Sequence, residues 1–284
     1  MGSCTVREEM LTGLAATTET IDVAGVATGV WEVGAGPPLL LLHGGIECGG
    51  AMWAPAARRL ADGYRVVVPD LPGLGESEPV DRLDRSFDRW LVDLMAVTGL
   101  GRPTLVAHSL VGGLAARFAT RRSEALAHLV LYGVPAVGRY RMPVRLRYAG
   151  LRFSIRPTVA NAERLDRFAL LDLDATRRLD PAWFAAFDAY TRRQAGLAHV
   201  KKTMNRLLAA GTKQVPGADL DHITTPTTLL WGRHDRMVPL CVGDEAAARH
   251  GWPLHVIDRA AHAPHIEQPD TFAATLASIG TRPR

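Results

Sequence analysis

The apolar positions of the chain fall into two kinds of run that alternate with each other. Short, continuous, strand-forming runs at 39–42, 65–70, 104–107, 126–132, 227–231 and 254–257 have the pattern of strands buried on both faces of a parallel sheet. Between them lie stretches of helical periodicity, at 52–61, 84–100, 110–120 and 270–279. Ahead of them, 18–23 and 29–33 alternate polar and apolar in the manner of half-buried strands, about an Ala24-Gly25 hairpin turn. Buried strands alternating with helices predict a doubly wound α/β sheet with its site at the carboxyl ends of the strands.

One stretch breaks the rhythm. Residues 135–225 show helical patterns and no apolar strand run, which predicts an inserted helical cap between two parts of one core, 1–134 and 226–284. Asp180-Pro181 supplies an N-cap followed by proline at the first helical position. Trp183, Phe184, Phe187 and Tyr190 then recur at helical spacing; they either roof an apolar substrate pocket or pack the cap onto the core. Arg139, Arg141, Arg145, Arg147, Arg152 and Arg156 read as a solvated helix face, with contact to an acidic substrate or carrier as the alternative.

The candidate chemistry sits where strands end. The run 104–107 leads through His108 into Ser109 and a small-residue helix. A turn that tight lifts a serine hydroxyl above the sheet edge and leaves the first helical amides free to donate. By itself the stretch also suits a buried strand end with a capping serine. Three further strand ends carry chemistry-bearing loops: His43-Gly44-Gly45-Ile46, then Gly232-Arg233-His234-Asp235-Arg236-Met237-Val238-Pro239, then Ala261-His262-Ala263-Pro264-His265-Ile266-Glu267-Gln268-Pro269.

Together these segments resemble the α/β-hydrolase family. Ala107-His108-Ser109-Leu110-Val111 is similar to its Gly-x-Ser-x-Gly nucleophile elbow, departing at Ala107 and, more seriously, at Val111, where a β-branched side chain must crowd the turn. Gly112 and Gly113 offer a shifted site for the close contact. Asp70-Leu71-Pro72-Gly73-Leu74-Gly75-Glu76-Ser77 resembles a family segment that is scaffold near the pocket. The resemblance implies an α/β-hydrolase fold, a mostly parallel eight-stranded sheet flanked by helices with an inserted helical cap. It also implies Ser109 as nucleophile, His262 as base and Asp235 as the acid behind it, in the chain order of this fold. The amides of Gly45 and Leu110 would form the oxyanion hole, and His43 would pin its loop. His108, Trp183, Phe187 and His265 are expected at the substrate pocket.

The implied reaction is cleavage of a carboxylic ester through an acyl-enzyme, with neither metal nor organic cofactor. Two alternatives stay open. The wording around Asp235 also suits carbon–carbon hydrolases of ring-cleavage diketones, although Ala263 replaces the aromatic residue that often follows the base there. A non-hydrolytic binding protein or cyclase is the other, prompted by Val111.

Composition adds boundaries. In 284 residues, 47% hydrophobic and 22% charged describe an ordinary globular chain with a sizeable core. The net charge of +4 is spread without a basic block and reads as a solvated basic surface, so nucleic-acid binding is not indicated; the partner expected of the hydrolase resemblance is a small-molecule substrate, apolar or aromatic. Cys4, Cys48 and Cys241 have no metal-ligand spacing, predicting reduced thiols. With no signal-peptide pattern and no membrane-length apolar run, a cytoplasmic protein without membrane contact is expected.

Overall fold

The computed structural model describes residues 6–45 and 49–279; Cys4, Cys48 and Ile46 lie outside these. Eight strands form one sheet: β1 (Thr17–Val23), β2 (Val26–Val33), β3 (Pro38–Leu42), β4 (Arg65–Pro69), β5 (Thr104–His108), β6 (His128–Tyr132), β7 (Thr227–Gly232) and β8 (Leu254–Ile257). Their spatial order is β1-β2-β4-β3-β5-β6-β7-β8. The hairpin β1–β2 and the pair β2–β4 are antiparallel, and every other pair is parallel. Ala24 and Gly25 have φ of 55° and 83°, the double left-handed turn that matches the twist of a two-residue hairpin.

The first helices are α1 (Val6–Leu11), α2 (Ala54–Leu60), α3 (Leu83–Val97) and α4 (Ser109–Arg121). Between β6 and β7 come α5 (Val144–Ile155), α6 (Val159–Ala169), α7 (Leu173–Leu179), α8 (Pro181–Gly196), α9 (Ala198–Gly211) and α10 (Gly217–Leu220). The chain closes with α11 (Leu240–His250), α12 (Pro264–Glu267) and α13 (Pro269–Ser278). The expected helix over 52–61 begins instead as a 3-10 turn, Gly50–Trp53, before α2.

The middles of the central strands are apolar because both faces are covered. Along β3, Leu40 and Leu42 join a core with Phe118 of α4, whereas Leu39 and Leu41 join one with Trp53 and Phe272, the two-residue period of a pleated strand. The chain moves from β3 outward to β4 and then back across to β5, so β3 and β5 are neighbours whose connections leave in opposite directions. That switch point opens a crevice at their carboxyl ends, and Gly44, Gly45 and Ser109 all stand there.

At the end of β5 the backbone turns sharply. His108 is extended, with φ −91° and ψ 141°, and Ser109 follows at φ 51°. Val111 is fully buried in α4 without occupying the tight spot. A Cβ at Gly112 would lie 2.1 Å from Val134 Cγ2 and 3.1 Å from the Ala107 carbonyl oxygen, and one at Gly113 would lie 2.7 Å from the carbonyl oxygen of Gly211 in α9. The close approaches expected at position 111 thus occur one and two residues later. Gly112→Ala is expected to lower stability by ~1–3 kcal/mol through overpacking. Val111→Gly, though it restores the family spelling, should cost about 2–4 kcal/mol in lost packing and helix propensity. Denaturant melts of the two variants check this; a stabilised Val111→Gly would contradict it.

Candidate active site

Three loops bring Ser109, His262 and Asp235 together. His262 Nε2 lies 2.8 Å from Ser109 Oγ and its Nδ1 lies 2.7 Å from Asp235 Oδ2, and all three residues are buried. Asp235 is fixed by its own loop, since its Oδ1 accepts from the amides of Met237 and Val238, both at 2.8 Å. One carboxylate oxygen is therefore held by backbone, and the other faces the imidazole. With Asp235 accepting at Nδ1, the neutral ring carries its proton there, and Nε2 is left to accept from the serine hydroxyl. His234, the residue before Asp235, is exposed.

The backbone of His262 is held from both sides. Its amide donates to the Ala169 carbonyl at the end of α6, 2.8 Å away. Its carbonyl accepts from His108 Nε2 at 3.1 Å and from the Tyr132 hydroxyl at 3.0 Å. His265 Nδ1 stands 2.9 Å from the same hydroxyl, and Trp53 packs 4.5 Å from the His265 ring, centroid to centroid. Desolvation holds His108 and His265 well below the usual imidazole range, with the nearby His262 adding to the effect in both. The rings under the base are therefore neutral, and they brace it without adding charge beside it. His43 is neutral too: burial pushes its imidazole to about 4 against the pull of Asp70, and its Nε2 accepts from the Leu71 amide at 3.1 Å. Asp70 accepts from the amides of Gly50 and Glu76 and pairs with Arg7 at 3.1 Å.

Leu110 lies in the first turn of α4, where the amides have no intrahelical acceptor. Among the described residues, neither the Leu110 nor the Gly45 N–H makes a hydrogen bond. Gly44 lies against the elbow, a Cβ there meeting Ser109 Cβ at 2.9 Å, and Gly45 lies under Leu207 and Met204 of α9. A cavity of about 390 Å³ opens beside Leu110, walled by Leu146 and Phe153 of α5, Leu165 of α6, and Val200 and Met204 of α9. Arg147, Ser154, Lys201 and Asn205 are its polar rim.

His108, Trp183, Phe187 and His265, expected at the pocket, do not line this cavity. His108 and His265 belong to the buried ring cluster under the elbow. Trp183 stacks on Phe187 at 5.1 Å, and with Phe184 and Tyr190 both join the core of Met10, Trp53 and Phe272. The aromatic face of α8 packs inward because Met10 and Leu11 of α1 supply an apolar partner. Phe187 also borders a small gap of about 30 Å³ near Ala263, and Trp183 a separate cleft of about 190 Å³ beside Asp180. Among the described residues, no cluster of three or more His, Cys, Asp or Glu side chains could hold a metal ion.

The sequence reading missed Tyr132 and gave Glu267 no task. Tyr132 closes β6 in the loop-facing position, a signal hidden in an otherwise apolar run. Glu267 links the insertion to the histidine loop, accepting from the Leu171 amide at 2.5 Å and the Ala261 amide at 2.7 Å.

A serine, an imidazole and a carboxylate are thus aligned at the switch point of this sheet. Residues 39–275 match the alpha/beta hydrolase family, and the chain belongs to that family. A relative from Burkholderia vietnamiensis (strain G4 / LMG 22486), a 2-hydroxy-6-oxononadienedioate/2-hydroxy-6-oxononatrienedioate hydrolase, is 30% identical over 261 residues, covering 85% of this chain and 86% of that protein. The meta-cleavage product hydrolase CumD of Pseudomonas fluorescens IP01 superposes with a TM-score of 0.75 at 22% identity, over 92% of this chain and 96% of that one. Naproxen esterase from Bacillus subtilis superposes at 0.78 with 20% identity, over 96% and 95%. The two structures share the fold.

Burial raises the Glu267 carboxyl from its ordinary 4.5 to about 7, against the amides that favour its charged form. A raised acid stabilises the fold while it keeps its proton. Its contribution is therefore full below about 4.5 and lost as pH rises through about 7, on the order of 3 kcal/mol in all. Thermal melts from pH 5 to pH 8 should show wild type losing ground to Glu267→Gln as pH rises; a constant difference would contradict the assignment.

Proposed function

We propose that the protein is a serine hydrolase that cleaves a carboxylic ester with an apolar acyl or alcohol part. The observation that carries this reading is the continuous Ser109–His262–Asp235 hydrogen-bonded line beside an apolar cavity. Ser109 Oγ attacks the ester carbonyl while His262 Nε2 takes the hydroxyl proton. Asp235 holds the Nδ1 proton and stabilises the imidazolium. The Gly45 and Leu110 amides donate to the oxyanion, where charge develops only as the bond forms. His262 then protonates the departing alkoxide. Water, deprotonated by the same imidazole, releases the acid and restores the serine.

The inserted helices act as a cap that sets substrate choice through the cavity wall. A second reading, hydrolysis of a carbon–carbon bond in a ring-cleavage diketone, is favoured by the named activity of the 30% identical relative and by Arg147 and Lys201, which could receive a carboxylate. Against it stand the largely aliphatic wall and Ala263 beside the base. A purely binding or cyclase role leaves the aligned acid and base without a task.

Short-chain p-nitrophenyl esters and a 2-hydroxy-6-oxo-dienoate, followed by loss of its conjugated chromophore, should be offered in parallel. Ester turnover with one fluorophosphonate adduct per chain is expected. Ser109→Ala should lose the adduct and three or more orders of magnitude in kcat, and Asp235→Asn about 10²–10⁴-fold. Turnover of the dienoate alone would move the assignment to the second reading. No adduct and no turnover from folded protein would overturn both.

A further inference from the structure

Helix α5 presents large apolar side chains to solvent. Val144 is 71% exposed, Tyr148 55%, Leu151 57% and Ile155 64%, at successive spacings of four, three and four, so they form one stripe. The opposite face is accounted for, since Leu146, Ala149 and Phe153 are buried. A soluble surface helix ordinarily turns charge toward water at these positions. Here the charge runs along the edges instead. Arg145, Arg152 and Arg156 follow one side of the stripe, and Arg147 and Ser154 the other, where they line the cavity together with Leu151.

The charge has one sign. Residues 125–162 contain Arg139, Arg141, Arg145, Arg147, Arg152 and Arg156 and no Asp or Glu. All six are exposed. Arg139 pairs with Glu245, and Arg152 lies over the Tyr148 ring and bonds its hydroxyl. Among the described residues, Arg141, Arg145, Arg147 and Arg156 have no ion-pair partner.

We infer that α5 is an interfacial helix that seats the protein on an anionic lipid surface, with the mouth of the cavity turned toward the lipid. The four apolar side chains would enter the acyl boundary while the guanidinium groups meet the phosphates, the arrangement by which an amphipathic helix lies in a membrane plane. Tyr148 suits the headgroup level. A second copy of the chain fits less well, because apposing two such faces would bring unpaired arginines together. The docking differs from spanning: no helix among the described residues is long and apolar enough to cross a membrane. It revises the expectation of no membrane contact. That the cavity draws its substrate from the lipid rests on the hydrolase reading, whereas the docking does not.

The test is co-sedimentation of the full chain with vesicles of phosphatidylcholine alone or mixed with phosphatidylglycerol. Binding should require phosphatidylglycerol and weaken as salt rises. Val144→Ser with Ile155→Ser, and separately Arg145→Gln with Arg156→Gln, should each reduce it by about tenfold or more, with circular dichroism and turnover of a soluble short-chain ester unchanged. Ser109→Ala protein should bind as wild type does, which separates failure of the docking from failure of the hydrolase reading. Absence of binding, or binding indifferent to headgroup and to both double variants, would overturn the inference. So would a dimer, seen by light scattering, that Val144→Ser with Ile155→Ser dissolves in a protein that ignores vesicles.

Discussion

A single backbone conformation organises the site: Ser109 at φ 51°, a region that costs a non-glycine residue on the order of 1–3 kcal/mol. Something must hold it there, and the holding comes from packing on both sides of the turn. Behind it, β5 is fixed between β3 and β6. Ahead of it, α4 can start only where Gly112 slides beneath Val134 and Gly113 meets α9. The strained turn delivers two things at once, a hydroxyl raised above the sheet and a helix start whose amides face the same side.

The partner of that serine is positioned by a different means. His262 sits on a loop after the edge strand β8, where a sheet gives little support. Its amide and carbonyl are instead tied to Ala169, Tyr132 and His108, and Glu267 ties the neighbouring Ala261 to Leu171. Ala169 and Leu171 belong to the insertion. The helices that wall the cavity therefore also hold the imidazole, so a change in the insertion alters both what enters the cavity and where the proposed base stands.

Much of this was legible because it is local. Each of the three loops follows a strand whose apolar run announces itself, and the two residues that fix Asp235, Met237 and Val238, lie two and three places further on. The hairpin at Ala24-Gly25 and the eight strands were likewise written in short-range pattern. What the sequence hid is what depends on distant partners. The α8 aromatics have the spacing of a pocket wall and of a packing face alike, and the choice between them was made by Met10 in α1, a helix with little periodicity of its own. His108 and His265 carry no sign in their neighbours that they would meet Tyr132 below the elbow. Val111 misled for the opposite reason, since a rule read at one position was satisfied by the glycines beside it.

The same distinction explains α5. Its buried side, Leu146, Ala149 and Phe153, reads as an ordinary core-facing stripe, and its arginines read as an ordinary solvated face. Only the packing shows that Val144, Tyr148, Leu151 and Ile155 fall between these two on neither a core nor a charged surface. An exposed apolar ridge is a cost to a free-standing globule, through solubility and unwanted association. Contiguity with the cavity mouth at Leu151 gives the cost a physical purpose, because a substrate rich in hydrocarbon reaches an apolar cavity most easily across a surface that is itself apolar.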